Sequence, residues 1–247
     1  VYARAYRLFD AGNNISYLFS VILLPLFAAV IKKGDNLHDL VKQSFSLIIT
    51  MTWLIAIVCI FNSKNLMELL YNIQENESIE LYNTRITQSA EILQILMGSF
   101  VSISITYIFG TLLTANGNLK HLNIVAAIGV VINLILNFIF IPLFQAKGAA
   151  FTSLSVQFAT CVIQFFIAKS IFNLQLGTKF WISLLSFLIL TTTITYLLHQ
   201  LSIYWIYSML LSIAVGIVIA FITKILDFSD LKQLVLSSID NFKKNKK

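Results

Sequence analysis

Between Gly110 and Gln164 two apolar runs, residues 122–144 and 148–168, flank the short break Gln145-Ala146-Lys147-Gly148. A second break, Ala115-Asn116-Gly117-Asn118-Leu119-Lys120, separates the first run from another before it. Runs of roughly twenty apolar residues joined by turn chemistry are what a bilayer-spanning helical hairpin requires, because a helix satisfies its own backbone polar groups in hydrocarbon. The composition agrees. With 58% apolar and 11% charged residues and a mean hydropathy of +0.84, the chain is far from a soluble domain, which carries about 25% charge. The expected fold class is all-α: a polytopic helical membrane protein of about seven transmembrane helices. Their expected limits are residues 8–31, 45–61, 91–114, 122–144, 148–171, 180–198 and 204–222.

The distribution of lysine and arginine sets an expected orientation. Lys32, Lys33, Lys42, Lys120, Lys169, Lys179, Lys224 and the lysines of the tail fall at alternate span ends. Arg4, Arg7, Lys64, Arg85 and Lys147 fall at the others. The lysine-rich ends, and the C-terminus with them, are therefore expected in the cytoplasm. The net charge of +6 follows from this sidedness and predicts no nucleic-acid partner. The opening Val1-Tyr2-Ala3-Arg4 has no initiator Met and no basic leader, so it reads as the interior of a longer polypeptide. The connection 62–88 is expected outside, as an acidic solvated loop that begins with an interfacial amphipathic turn. The tail 225–247 carries Phe228, Leu231, Val235 and Phe242 at near-helical spacing, with Ser229 as an N-cap. It is expected to be a basic amphipathic helix on anionic headgroups.

No enzyme signature emerges. His38, His121 and His199 are isolated at span ends, Cys59 and Cys161 lie apart in apolar runs, and no paired carboxylate or activated nucleophile is present. A non-enzyme without metal or cofactor is expected. The informative features are polar stripes. Arg7, Asp10, Asn14 and Tyr17 recur at three-four-three spacing, with Arg4 one turn earlier, so they share one helix face. Such a face is either an Arg7–Asp10 pair at the interface or a cationic patch at a cavity mouth. A guanidinium suits phosphate because its fork donates two parallel hydrogen bonds.

Further stripes run through Gln88, Glu91, Ser99, Ser102, Thr106 and Gly110, through Asn133 and Asn137, and through Ser153, Gln157, Thr160 and Gln164. They fit either small-residue helix seams or walls of a wet cavity. The Arg7 face, the stripe from Gln88 to Gly110 and the stripe from Ser153 to Gln164 make three polar walls, which favour the cavity, with Arg7, Arg4, Asp10, Asn14, Tyr17, Asn133, Asn137, Gln157 and Gln164 as candidate substrate contacts. Glu91 is a candidate ion-coupling site.

Two blocks of sequence carry a family resemblance. The first is Tyr2-Ala3-Arg4-Ala5-Tyr6-Arg7-Leu8, followed by Leu23-Leu24-Pro25-Leu26-Phe27. The second is Leu113-Thr114-Ala115-Asn116-Gly117-Asn118, then Asn133-Leu134-Ile135-Leu136-Asn137, Ile141-Pro142 and Lys147-Gly148-Ala149-Ala150. With these blocks the chain resembles oligosaccharide-lipid flippases of the multidrug/oligosaccharidyl-lipid/polysaccharide exporter superfamily.

The resemblance implies the C-terminal lobe of a two-lobed flippase, with an N-terminal lobe and the lobe's first helix preceding Val1. Residues 1–171 would form the lobe's bundle, residues 172–224 two additional helices, and residues 225–247 the cytoplasmic tail. It further implies a bacterial inner-membrane protein that moves an undecaprenyl-pyrophosphate-linked oligosaccharide by alternating access, for O-antigen or capsule synthesis. In related lipid II flippases an arginine matching Arg7 lines a central cationic cavity, and the last two spans help hold the lipid tail. A multidrug and toxin extruder of the same superfamily is the alternative, but it would favour acidic residues deep in the spans, whereas Asp10 and Glu91 lie near span ends. A membrane glycan polymerase or ligase would need a larger catalytic external loop.

Overall fold

The computed structural model describes residues 1–34, 36–201 and 203–227. Among them the elements are α1 (Tyr2–Lys33), α2 (Leu37–Phe61), α3 (Ser63–Leu70), α4 (Ile79–Ala115), α5 (Leu119–Phe172), α6 (Thr178–Gln200) and α7 (Trp205–Ile222). All but α3 are long and apolar enough to cross a membrane. The chain is thus a polytopic helical membrane protein.

The longest helix is really two. At Gln145 the backbone leaves helical geometry, with φ 50° and ψ −126°. The halves double back on each other: the α-carbon of Gly129 faces Thr160 and Val156, and Gly148 rests on the Phe140 carbonyl. The break therefore falls within Gln145–Gly148, the turn expected from sequence, and α5 makes two passes, residues 119–144 and 146–172. Pro142, read as a stop signal, stands inside the first half just before the turn.

Sequence and structure differ most at the connection 62–88. A solvated loop was expected, yet most of it is helical. Ser78 caps α4 by accepting from the Leu81 N–H at 3.2 Å, so this helix begins well before its apolar stretch. The amphipathic turn becomes α3, which lays Met67 into the core. Residues 71–78 are what remain between helices. Most of the basic tail, including Phe228, Ser229, Leu231, Val235 and Phe242, lies outside the described residues.

Packing centres on α4, against which α1, α2, α3 and α5 all lie. Small residues set the approach of α1: Gly12 meets the ring of Phe100, and the hydroxyls of Ser16 and Ser104 bond at 2.7 Å. Ser104 gives its proton to the Phe100 carbonyl at 2.6 Å, so Ser16 is the donor between the two hydroxyls. The spacing Gly12–Phe100, Ser16–Ser104 makes α1 and α4 run parallel. Small residues also admit the second half of α5, where Gly98 faces Leu154 and Gly110 faces Gln164. Helices α6 and α7 pack together and dock on α2, where Gly216 makes room for Leu54. Buried apolar side chains form one cluster around Phe27, Phe45, Phe109 and Phe187. A second gathers Phe9, Met67, Ile86, Leu96 and Phe100. Large apolar side chains such as Phe138, which is 81% exposed, cover the outside as a lipid-facing surface does.

The turn of α5 generates a paired prediction. A positive φ on a residue with a side chain costs on the order of 1–3 kcal/mol, so Gln145→Gly should raise thermal stability in detergent. At Gly148 an added methyl meets the Phe140 backbone, so Gly148→Ala should lower stability by about 2 kcal/mol. Opposite shifts of the melting temperature are expected, and equal shifts would contradict this turn.

Candidate functional site

The first turns of α1 present two different faces. Ala5, Phe9, Ser16, Ser20 and Leu23 are buried. Arg7, Asp10, Asn14 and Tyr17 are all exposed on the other side, as their spacing predicts. Among the described residues Arg7 and Asp10 form no ion pair, whether with each other or elsewhere. Of the two readings of this face, the mutual Arg7–Asp10 pair is therefore not formed. The Tyr17 ring meets that of Tyr107 edge-on at 6.0 Å, which extends the polar face onto α4. On the same stretch of α1, the Oδ1 of Asn13 is buried without a hydrogen-bond partner.

Arg4 leaves this face. Its guanidinium sits 5.2 Å from the ring centre of Tyr71, just past α3, and the Tyr71 hydroxyl donates to the Arg4 carbonyl at 3.2 Å. One nitrogen of Arg4, Nη1, is buried and unpartnered. Arg4 and Arg7 thus do not form one patch: the first is half-buried under the α3 end and the second is open.

The other stripes behave as seams. Ser102 donates to the Gly98 carbonyl and Thr106 to that of Ser102, each at 3.0 Å, so these α4 hydroxyls are satisfied within their own helix. Ser99 is fully buried. Gln164 is 7% exposed, and its Oε1 lies against Gly110 without a partner. Asn133 and Asn137, both half-buried, bond to each other at 2.8 Å within the first half of α5. Gln157 is half-buried on the second half, where Thr160 faces Gly129. The structure brings Arg7, Asp10, Asn14 and Tyr17 together and keeps Asn133, Asn137, Gln157 and Gln164 in α5 and its contact with α4. Glu91 is joined by Lys147 in an ion pair across α4 and the α5 turn. Beside this pair a cleft of about 240 Å³ is lined by Gln88, Ile92, Phe144 and Gln145.

At the same end of the bundle, Arg85 grips Glu77 with two hydrogen bonds of 2.6 Å and reaches the Asn72 carbonyl at 3.3 Å. Its guanidinium also lies 5.4 Å from the Tyr82 ring centre. With side chains 12% and 6% exposed, this pair is shielded from water. No described group of three or more histidines, cysteines or carboxylates is placed to hold a metal.

The model of the family described as "Lipid II flippase MurJ" matches residues 3–218, most of the chain. The chain belongs to the MurJ family. Among solved structures it is similar to one described as "Lipid II flippase MurJ, inward closed conformation", with a TM-score of 0.71 at 18% identity. That likeness is one of fold. It covers 92% of this chain and 46% of the other, so the chain spans about half the length of the MurJ it matches. No curated protein sequence matches the chain.

Three site features of this MurJ-family chain were not read from sequence. Tyr107 and Asn13 belong to apolar stretches whose facing helix was unknown, and only the parallel pairing of α1 with α4 reveals them. The Arg85–Glu77 clasp lies in a segment whose acidity suggested solvation. Its signal was the lone Arg85 among carboxylates. Breaking a buried pair leaves an uncompensated charge, at about 3–5 kcal/mol. Glu77→Gln should therefore loosen residues 71–78, read as faster deuterium uptake there with uptake in α2 unchanged. Unaltered uptake would show that the clasp does not hold this segment.

Proposed function

We propose that this chain is the cavity-bearing part of a lipid-linked glycan flippase working by alternating access, and that its cargo is lipid II. The reading rests on one observation above all: Arg7, an exposed guanidinium with no carboxylate partner, stands on a polar face of an otherwise lipid-compatible helix. A charge at that position is tolerated only where it meets water, protein or an anion. A pyrophosphate offers the guanidinium two parallel acceptors, and Asn14, Tyr17 and Tyr107 add neutral donors for a hydrated glycan. The prenyl tail stays in lipid while the head crosses a core about 30 Å thick. Family membership supports lipid II over an O-antigen or capsule repeat unit, which shares the pyrophosphate and differs in the sugar.

On this reading the protein is a transporter and no enzyme, resident in the bacterial inner membrane. Its lysine-rich end, and hence its C-terminus, faces the cytoplasm. The open face of α1 is where a second lobe of the same polypeptide would close the cavity. Glu91, held by Lys147, is half-exposed and is a weaker candidate for ion coupling than an unpaired carboxylate such as Asp10 would be.

The test compares Arg7→Ala with Arg7→Lys in the full-length protein, read as lipid II translocated per protein in vesicles. The alanine variant should lose on the order of ten-fold or more, since charge-assisted hydrogen bonds contribute about 1.5–3 kcal/mol. Lysine should retain part of the rate, keeping charge without the fork. Normal translocation by the alanine variant would remove Arg7 from the mechanism. Translocation of an O-antigen precursor in preference to lipid II would change the cargo and leave the mechanism intact.

A further inference from the structure

We propose that α2 and α6 hold an anionic phospholipid, with its phosphate at Lys42 and Lys179 and one acyl chain in the crevice between α2, α4, α6 and the second half of α5. The crevice has a volume of about 320 Å³ and an entirely apolar lining that includes Phe45, Ile49, Trp53, Phe109, Phe165 and Leu184. It exists because α6 packs along α2 and α7, and its lining meets α5 through the edge contact of Trp181 with Phe165 at 6.1 Å. Phe45, Ile49 and Trp53 mark one face of α2 over about 12 Å at 1.5 Å per residue, most of the roughly 15 Å of hydrocarbon in one leaflet. At the far end the Trp53 indole N–H donates to the Thr191 hydroxyl at 3.2 Å, so no polar atom there needs another partner.

The near end is charged. A cleft of about 230 Å³ is lined by His38, Asp39, Lys42, Gln175, Lys179 and Phe180, among others. Phe180 belongs to this cleft and its ring lies 5.8 Å from both Phe45 and Trp181, which line the crevice. Head cleft and tail crevice therefore adjoin across the Phe180 ring, close enough for one lipid to reach both. Neither lysine forms an ion pair among the described residues. The one carboxylate present, Asp39, accepts from the Asn36 amide at 2.8 Å. The His38 Nε2 is used as well, accepting the Gln175 N–H at 2.8 Å and so fixing the linker beneath α6. Two free ammonium groups at a span end, directly below a hydrocarbon-lined crevice, match an anionic headgroup and its chain. A zwitterionic lipid would fill the crevice equally but gain less at the lysines. No residue of α7 lines the crevice, so it is separate from any groove between the last two helices. It does not depend on the cargo proposed above.

The test uses the full-length protein in detergent, with bound lipid counted by native mass spectrometry and stability followed by thermal unfolding. Phosphatidylglycerol, phosphatidylcholine with the same chains, inorganic phosphate and undecaprenyl phosphate are compared. Phosphatidylglycerol should bind on the order of ten-fold more tightly than phosphatidylcholine, and inorganic phosphate should leave the melting temperature unchanged. Lys42→Gln with Lys179→Gln should abolish that preference, whereas Lys42→Arg with Lys179→Arg should keep it. Ile105→Phe, which fills the crevice, should weaken both phospholipids alike. Equal binding of the two phospholipids, or a preference that survives loss of both lysines, would overturn the proposal. So would stabilisation by phosphate alone, which would mark a simple anion site, or displacement of phosphatidylglycerol by undecaprenyl phosphate, which would assign the crevice to the carrier lipid.

Discussion

The close approach of helix backbones to α4 is the constraint on which this bundle rests. Inside a bilayer, burying apolar surface gains little, because lipid tails are as apolar as leucine. What holds helices together is dispersion across tight contacts and a few hydrogen bonds between them. Gly12 and Ser16 of α1, Gly98 and Gly110 of α4, and Ser104 opposite Ser16 are the places where the side chains are small enough for this. Where a hydroxyl stands at such a contact it donates mostly into its own helix, as Ser102, Ser104 and Thr106 do. These three therefore add no unsatisfied donor to the seam, whereas the buried Ser99 hydroxyl is left without a partner.

This explains why the polar stripes were harder to interpret than the spans. The spans depend on hydropathy alone, and all of them, including both passes of α5, were legible from runs of apolar residues and the turn at Gln145. A stripe at three-four spacing says that residues share a face. It does not say what the face meets. Arg7, Asp10 and Asn14 stay exposed and Tyr17 touches only the edge of α4 at Tyr107, whereas Ser99 and Gln164 are buried. The difference is set by which helices pair, and pairing depends on the small residues of both partners together. Arg4 shows the same limit at shorter range. It lies one turn from Arg7, yet Tyr71, distant in sequence, draws its guanidinium away.

The region between α2 and α4 was misread for a different reason. Acidic residues and a low apolar content suggested a solvated loop, and residues 72–76 and 78–81 are indeed exposed; it is the helical form and the shielded Arg85 that were not read. With Arg85 paired to Glu77 and stacked near Tyr82, a shielded ion pair closes the segment, and α3 supplies Met67 to the core beneath it. Composition averages over such a pair and so cannot register it.

The two ends of the bundle consequently differ in kind. Near the start of α1, charges are largely matched: Arg85 by Glu77, Lys147 by Glu91, Lys64 by Glu68. Arg7 is the exception there together with Arg4, whose charge rests on an aromatic face instead. At the opposite end Lys42 and Lys179 have no carboxylate partner. Unmatched positive charge at a membrane boundary attracts phosphate from whatever carries it. If the lysine end retains a resident lipid, its charge is already neutralised, and a travelling pyrophosphate at that end would find no comparable competitor for the α1 face. Arg7 is then the guanidinium left free to select cargo, which is the condition a flippase needs if its structural lipids are not to become its substrates.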